Sequence, residues 1–262
     1  MEFSVAGEAF DVAEVGPEVT HLVIHQIGKR DLARLRGLDA LPIRMLELRW
    51  LSAADLTAVP LPERLEELVL WQSAKLKSCA GIERAKGLTR LRWAENGVLQ
   101  DGSALASLPD LRVLEIESGM GAAQKLCDLE FLRGLRLRAL TINGIAPHNL
   151  DVAPLLALAE DTALMLNGRD WGEESLARIA AHFPAVHADL RQLEDYPADL
   201  GSRCGRCGGD KKMLRLRGRK FLWCPACEAK GLEKVLSAFD GRVEAARHGA
   251  NPGVSDAQIS QE

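Results

Sequence analysis

The chain has 262 residues, 33 of them basic and 37 acidic for a formal charge of −4, and 47% are hydrophobic. This ordinary globular balance excludes wholesale disorder, and the length accommodates one elongated domain or two compact ones, either with a substantial core. No apolar run reaches the roughly 18 residues of a membrane helix. The start, MEFSVAGEAF, lacks the basic-then-apolar order of a secretory signal, so a soluble, cytoplasmic protein is expected. Charge is unevenly distributed: residues 201–262 hold 12 Lys/Arg against 7 Asp/Glu, leaving 21 against 30 for residues 1–200. An acidic body and a basic end predict two functional parts meeting near residue 200.

In chain order, residues 3–12 (FSVAGEAFDV) come first. Phe3/Val5 and Phe10/Val12 alternate about Gly7-Glu8, the pattern of a hairpin. Within residues 1–18 it would cap the open end of the array that follows, because an uncapped stack exposes core.

A short phrase then recurs: HLVI (21–24), MLEL (45–48), ELVL (67–70), RLRW (90–93), VLEI (113–116), ALTI (139–142), ALML (163–166) and HADL (187–190). Its first apolar positions are spaced 22 to 26 residues apart, and a further apolar residue stands three positions before each except in the seventh unit, where Asp161 intervenes. Alternating apolar positions suit a strand with one buried face, and units too short to bury that face alone bury it by stacking. Segments such as 103–112 and 175–184, with Leu at helical spacing and Pro near the end, read as short helices between strands.

This pattern, L-x-x-L-x-L at that period over residues 19–193, resembles the leucine-rich repeat family. The fourth unit is similar to the short intracellular and internalin-like class. The resemblance implies an α/β solenoid of about eight units over residues 19–200, with the strand face lining a concave surface that binds a protein. One departure is plain. The family's turn asparagine falls here at Ile27, Leu51, Ser73, Asn96, Gly119, Ile145, Arg169 and Leu193, so only Asn96 conforms and the turns should be irregular.

The outward strand positions of units two to five form the expected partner surface: Glu47, Arg49, Trp50, Glu67, Trp71, Arg90, Arg92, Glu115 and Glu117. Trp and Arg are the residue types most often found at binding hot spots. Trp93 occupies an apolar motif position and belongs to the core. His21 and His25, four residues apart on a strand, lie roughly 13 Å from one another, too far to share a metal ion. Cys79 and Cys127 stand alone in connecting segments and read as small buried residues.

Cys204-Gly-Arg-Cys207 and Cys224-Pro-Ala-Cys227 form a C-x2-C, C-x2-C pair at zinc-site spacing. One tight turn aims two sulfurs at one ion, and four sulfurs complete a tetrahedral Zn²⁺, leaving no open position; the ion would be structural. Gly205, Gly208 and Gly209 give those turns freedom. The spacer 213–223 reads as two strands joined near Gly218-Arg219, and residues 201–228 resemble a zinc ribbon. Arg215, Arg217, Arg219 and Lys220 lead into Phe221 and Trp223. Basic groups beside aromatics offer a grip on RNA or DNA, while the aromatics forming the ribbon's own core, or the basic face docking on the acidic solenoid or another protein, is the plainer reading. Apolar residues from Leu232 to Ala246 at helical spacing predict an amphipathic helix over 229–248, followed by a disordered tail over 249–262.

The sequence contains no phosphate loop, dinucleotide fingerprint, H-E-x2-H or G-x-S-x-G, so no catalytic residues are assigned. The expectation is a non-enzymatic protein-interaction module with one structural zinc ion. The alternative is an adaptor whose ribbon binds nucleic acid while the solenoid recruits a protein.

Overall fold

A computed structural model describes residues 1–97, 99–118, 126, 128–144, 151–168, 170–196, 203–216, 220 and 222–249. The chain divides into two compact units, Met1–Leu166 and Asn167–Glu262. The division falls well before residue 200: residues 167–200, expected to complete the repeat array, belong to the second unit. No helix among the described residues is long and apolar enough to cross a membrane.

The first unit is built on one parallel sheet of eight strands taken in sequence order. They are β1 (Glu2–Ala6), β2 (His21–His25), β3 (Met45–Arg49), β4 (Glu67–Trp71), β5 (Arg90–Ala94), β6 (Val113–Glu117), β7 (Ala139–Asn143) and β8 (Ala163–Leu166). The recurring phrase sets the register. Leu22, Leu46, Leu68, Leu91, Leu114, Leu140 and Leu164 pair across successive strands. A second buried column runs Ile24, Leu48, Leu70, Trp93, Ile116, Ile142 and Leu166. Every strand supplies the same two inward side chains, so the core is continuous from strand to strand. The return segments are short 3-10 turns such as Asp31–Leu35, Ile82–Arg84 and Ser103–Ser107, with Leu35, Ile82 and Leu105 buried beneath them. At Gly81 (φ +96°) a Cβ would stand 2.4 Å from the backbone carbon of Leu56, so the packing of one return segment on the next requires glycine.

Both ends of the expected array differ from the sequence reading. The N-terminal segment is not a hairpin: β1 pairs parallel to β2, with Phe3 beside Leu22 and Val5 beside Ile24. Gly7–Ala9 is a 3-10 turn, and Phe10 is buried rather than carried on a returning strand. At the other end the phrase HADL lies in helix α2 (Pro184–Leu190). There Pro184 opens the helix, and the buried residues Val186 and Leu190 are four apart, a helical rather than alternating spacing. Helix α1 (Glu173–His182) precedes it, where the spacing of the 175–184 segment predicts a helix.

The turns after the strands are more regular than the missing asparagines imply. Gln26, Trp50, Gln72 and Glu95, each just after its strand, share a left-handed backbone with φ between 51° and 57°. Each donates its N–H to the last residue of the next strand, from Gln26 to Arg49 through Glu95 to Glu117. One position further on, Ser73 takes the asparagine role. Its buried hydroxyl accepts the Leu51 N–H at 2.9 Å, while its own N–H is accepted by Asn96 Oδ1 at 2.8 Å. The Asn96 amide donates onward to the Leu70 carbonyl at 2.8 Å. Where Ile27 and Leu51 stand in this position, apolar side chains are buried instead. The expected ladder positions Gly119, Ile145 and Arg169 lie outside the described residues.

Removing the Ser73 hydroxyl strands the buried Leu51 N–H, at a cost of about 1–3 kcal/mol. Ser73→Ala should lower unfolding stability by that amount in urea titration, with Ser73→Asn retaining most of it. A loss below about 0.5 kcal/mol, the ordinary surface range, would show that the bridge holds nothing.

Candidate metal centre and strand face

In the second unit, β9 (Leu193–Asp195), β10 (Lys212–Leu214) and β11 (Leu222–Trp223) form an antiparallel sheet in the order β11-β10-β9. The two strands expected within 213–223 are joined by a third, from a segment assigned to the repeats. Helix α3 (Ala229–Arg247) follows, burying Phe239 and Val243. Of the disordered tail expected over 249–262, residues 250–262 lie outside the described residues.

The sulfurs of Cys204, Cys207, Cys224 and Cys227 lie within 4.8 Å of one another, a geometry that could hold a metal ion; no other such group occurs among the described residues. Each pair is shaped by its own backbone. Gly208, with φ +72°, donates its N–H to the Cys204 carbonyl, and Cys204 donates to the Gly209 carbonyl, both at 2.8 Å. Gly205 and Gly209, unlike Gly208, do not adopt a left-handed backbone. In the second pair the Cys227 N–H donates to the Cys224 sulfur at 3.4 Å.

The thiols of the cluster do not ionise alike. Hydrogen bonds from the backbone of Arg206 and Cys207 pull the Cys204 thiol down to about 6. Cys227 is pushed up to about 12, because it is hydrogen-bonded to Cys207 and must ionise among the other sulfurs. One thiolate is favoured and a second is penalised, a conflict that a divalent ion among the sulfurs removes.

Glu228, which the motif reading passed over, fixes this centre from behind. Its Oε2 accepts the Cys224 N–H at 3.0 Å, and its Oε1 accepts from Lys220. The Lys220 ammonium also sits 5.0 Å from the Trp223 ring centroid, and the Trp223 indole donates to the Lys220 carbonyl. Both partners hold the Glu228 carboxyl below its ordinary range, the Cys224 N–H contributing most. Glu228 is also the N-cap residue directly before α3, with its N–H donated to the Cys224 carbonyl at 3.0 Å. The only sequence signal was an acidic residue directly after Cys227 at a helix start.

Several basic residues of this unit are paired internally. Arg215 pairs with Asp189 and, at 3.0 Å, with Glu194; Lys212 meets Asp195 at 2.5 Å. Lys220 is held by Glu228, and Trp223 is buried. Arg217, Arg219 and Phe221 lie outside the described residues. The charge division changes accordingly: Asn167–Glu262 carries 15 basic against 14 acidic residues, and Met1–Leu166 carries 18 against 23.

On the sheet of the first unit, the expected surface residues stand in a row on the outward positions of β3 to β6, with Trp50 just after β3, and their contacts form two groups, one around Trp71 and one around Glu115. Glu47 accepts from Arg49 at 2.6 Å. Arg90 reaches Glu115 at 2.6 Å and Glu67 at 3.8 Å, and Arg92 bridges Glu115 and Glu117 at 3.6 and 3.0 Å. The Arg49 guanidinium lies 5.0 Å from the Trp71 ring centroid, and Trp50 packs 6.0 Å from Trp71. Sequence reasoning missed Gln72 and Glu95, which extend this row: the Trp50 indole donates to Gln72, and the Gln72 amide to Glu95, each at 2.7 Å. Their signal was positional, since Gln26, Trp50, Gln72 and Glu95 occupy the same place in successive units.

Trp93 is buried, as its motif position predicts, and so is Cys79, whose thiol burial pushes up. Cys127 lies outside the described residues. Comparison of the chain with family models, with curated proteins and with solved structures found no match.

Replacing Cys204 and Cys224 together by Ser should abolish metal retention by the full chain, read by elemental analysis after gel filtration. Retention unchanged from wild type would contradict the assignment of these ligands. Glu228→Ala should keep the ligands but weaken metal affinity by about 10- to 100-fold in chelator competition, the usual cost of losing a ligand's supporting contact. Affinity within about twofold of wild type would remove Glu228 from the centre.

Proposed function

We propose that this chain is a non-enzymatic protein-interaction module. A leucine-rich-repeat-type solenoid presents its concave strand face to a protein partner, and one structural Zn²⁺ on the four cysteines stabilises a C-terminal ribbon. The observation that carries the reading is the outward row from Trp50 to Glu117. Aromatic and guanidinium groups are held there in fixed positions by neighbours on adjacent strands, the arrangement typical of binding hot spots.

Zinc is favoured over other ions because four sulfur ligands at two-residue spacing suit a closed tetrahedral site. A sheet of three very short strands gains from such a staple, since so little surface is available to bury. Free thiols at these positions fit a reducing compartment, the cytoplasm. No catalytic assignment is made, because the three arginines of the row are each engaged with carboxylates.

The test is chemical cross-linking in the source cell with tagged full-length protein. A partner cross-linked to wild type should be lost from the double variant Trp71→Ala/Arg92→Glu, while the variant remains folded by circular dichroism and retains one zinc. A cross-linking pattern identical in wild type and variant would contradict the strand-face reading.

A further inference from the structure

We infer that the strand face receives a cationic segment of its protein partner, with a Lys or Arg side chain laid against Trp50 within reach of Glu95. This rests on the interaction reading above and names the chemistry of the partner.

Trp50 is one of few large apolar side chains left exposed, at 43%. It is exposed without being loose. Its backbone is held left-handed at φ +54°, with its N–H on the Trp71 carbonyl at 3.0 Å. Its indole N–H is fixed by Gln72, and Gln72 is fixed in turn by Glu95. His25 meets the ring edge-on at 6.3 Å between centroids. A non-glycine residue rarely adopts this backbone region, so the surrounding contacts hold Trp50 in a conformation it would not choose alone.

The charges around it settle what it can accept. Arg49 already stacks on Trp71 and is paired with Glu47; Arg90 and Arg92 are committed to Glu115 and Glu117. An acidic partner would meet guanidiniums already paired with carboxylates. Glu95 differs: among the described residues its side chain meets only the neutral Gln72 amide. The unmatched charge of this row is therefore negative, and it lies one side chain, Gln72, away from the exposed indole. A guanidinium or ammonium answers both, through cation–π contact with the ring and an ion pair with the carboxylate. The same corner already contains that contact internally, as Arg49 over Trp71. An uncharged apolar segment would cover Trp50 but strip water from Glu95 with nothing in return.

The test is selection of random displayed peptides on the full-length protein, followed by affinity measurement of the enriched sequences on variants. Enrichment of Lys or Arg is expected. Trp50→Ala should reduce the affinity of those peptides by at least about tenfold, as for a hot-spot residue. Glu95→Lys, which leaves Trp50 in place, should abolish binding, and Glu95→Gln should remove most of its salt dependence. Enriched peptides that are acidic or uncharged, yet still compete at Trp50, would overturn the inference and leave the interaction reading standing. Enriched peptides indifferent to Trp50, Trp71 and Arg92 substitutions alike would overturn both.

Discussion

No single repeat of this chain can bury its own apolar face. A strand of five residues offers two inward side chains, and those are covered only when the next strand supplies two more at the same height. The pairing of Leu22 with Leu46, Leu68, Leu91 and Leu114 satisfies that requirement, and everything else in the first unit is arranged around it. Because the inward positions are fixed in register, the outward ones are too. Arg90 therefore finds Glu67 on one neighbouring strand and Glu115 on the other. The ion-paired row is a by-product of the core's alignment, and its rigidity comes from there.

The second unit meets the same shortage of buried surface in another way. Its three strands contain two or three residues each, too few to hold together by sheet pairing. Four sulfurs within 4.8 Å of one another could hold an ion that tethers them, and Glu228 joins the Cys224 backbone to the start of α3. From there Asp240 on α3 meets His187 and Arg191, and Arg242 meets Glu173 on α1. Charge in this unit thus serves internal packing. Of the basic residues before the second cysteine pair, Arg215 is paired with Asp189 and Glu194 and Lys212 with Asp195, acidic residues that lie close before them in the chain.

What was legible from the sequence was whatever repeats or has a fixed spacing: the inward Leu columns, the outward row from Glu47 to Glu117, and the four cysteines. What was not legible depended on neighbours distant in the chain. HADL carries the repeat's alternation, but Val186 and Leu190 bury together only on a helix, and Pro184 opens one. Phe3 and Val5 suit a hairpin as well as a parallel strand, and only their pairing with Leu22 and Ile24 distinguishes the two. Ser73 is unremarkable in sequence, since its role depends on the Leu51 N–H 22 residues away. Nor does any local signal mark Gln26, Trp50, Gln72 and Glu95 as left-handed, because none is glycine; the carbonyls of the next strands impose that conformation.

The central claim is that the strands share one core, so that each depends on its neighbours. Hydrogen exchange of the backbone amides in a Leu114→Ala variant tests this most directly. Leu114 is buried between Leu91 and Leu140. The variant should lose protection in β5 and β7 as well as in β6, in step with the cavity that the missing side chain opens. Loss of protection confined to β6, with β5 and β7 exchanging as in the wild type, would contradict a continuous core.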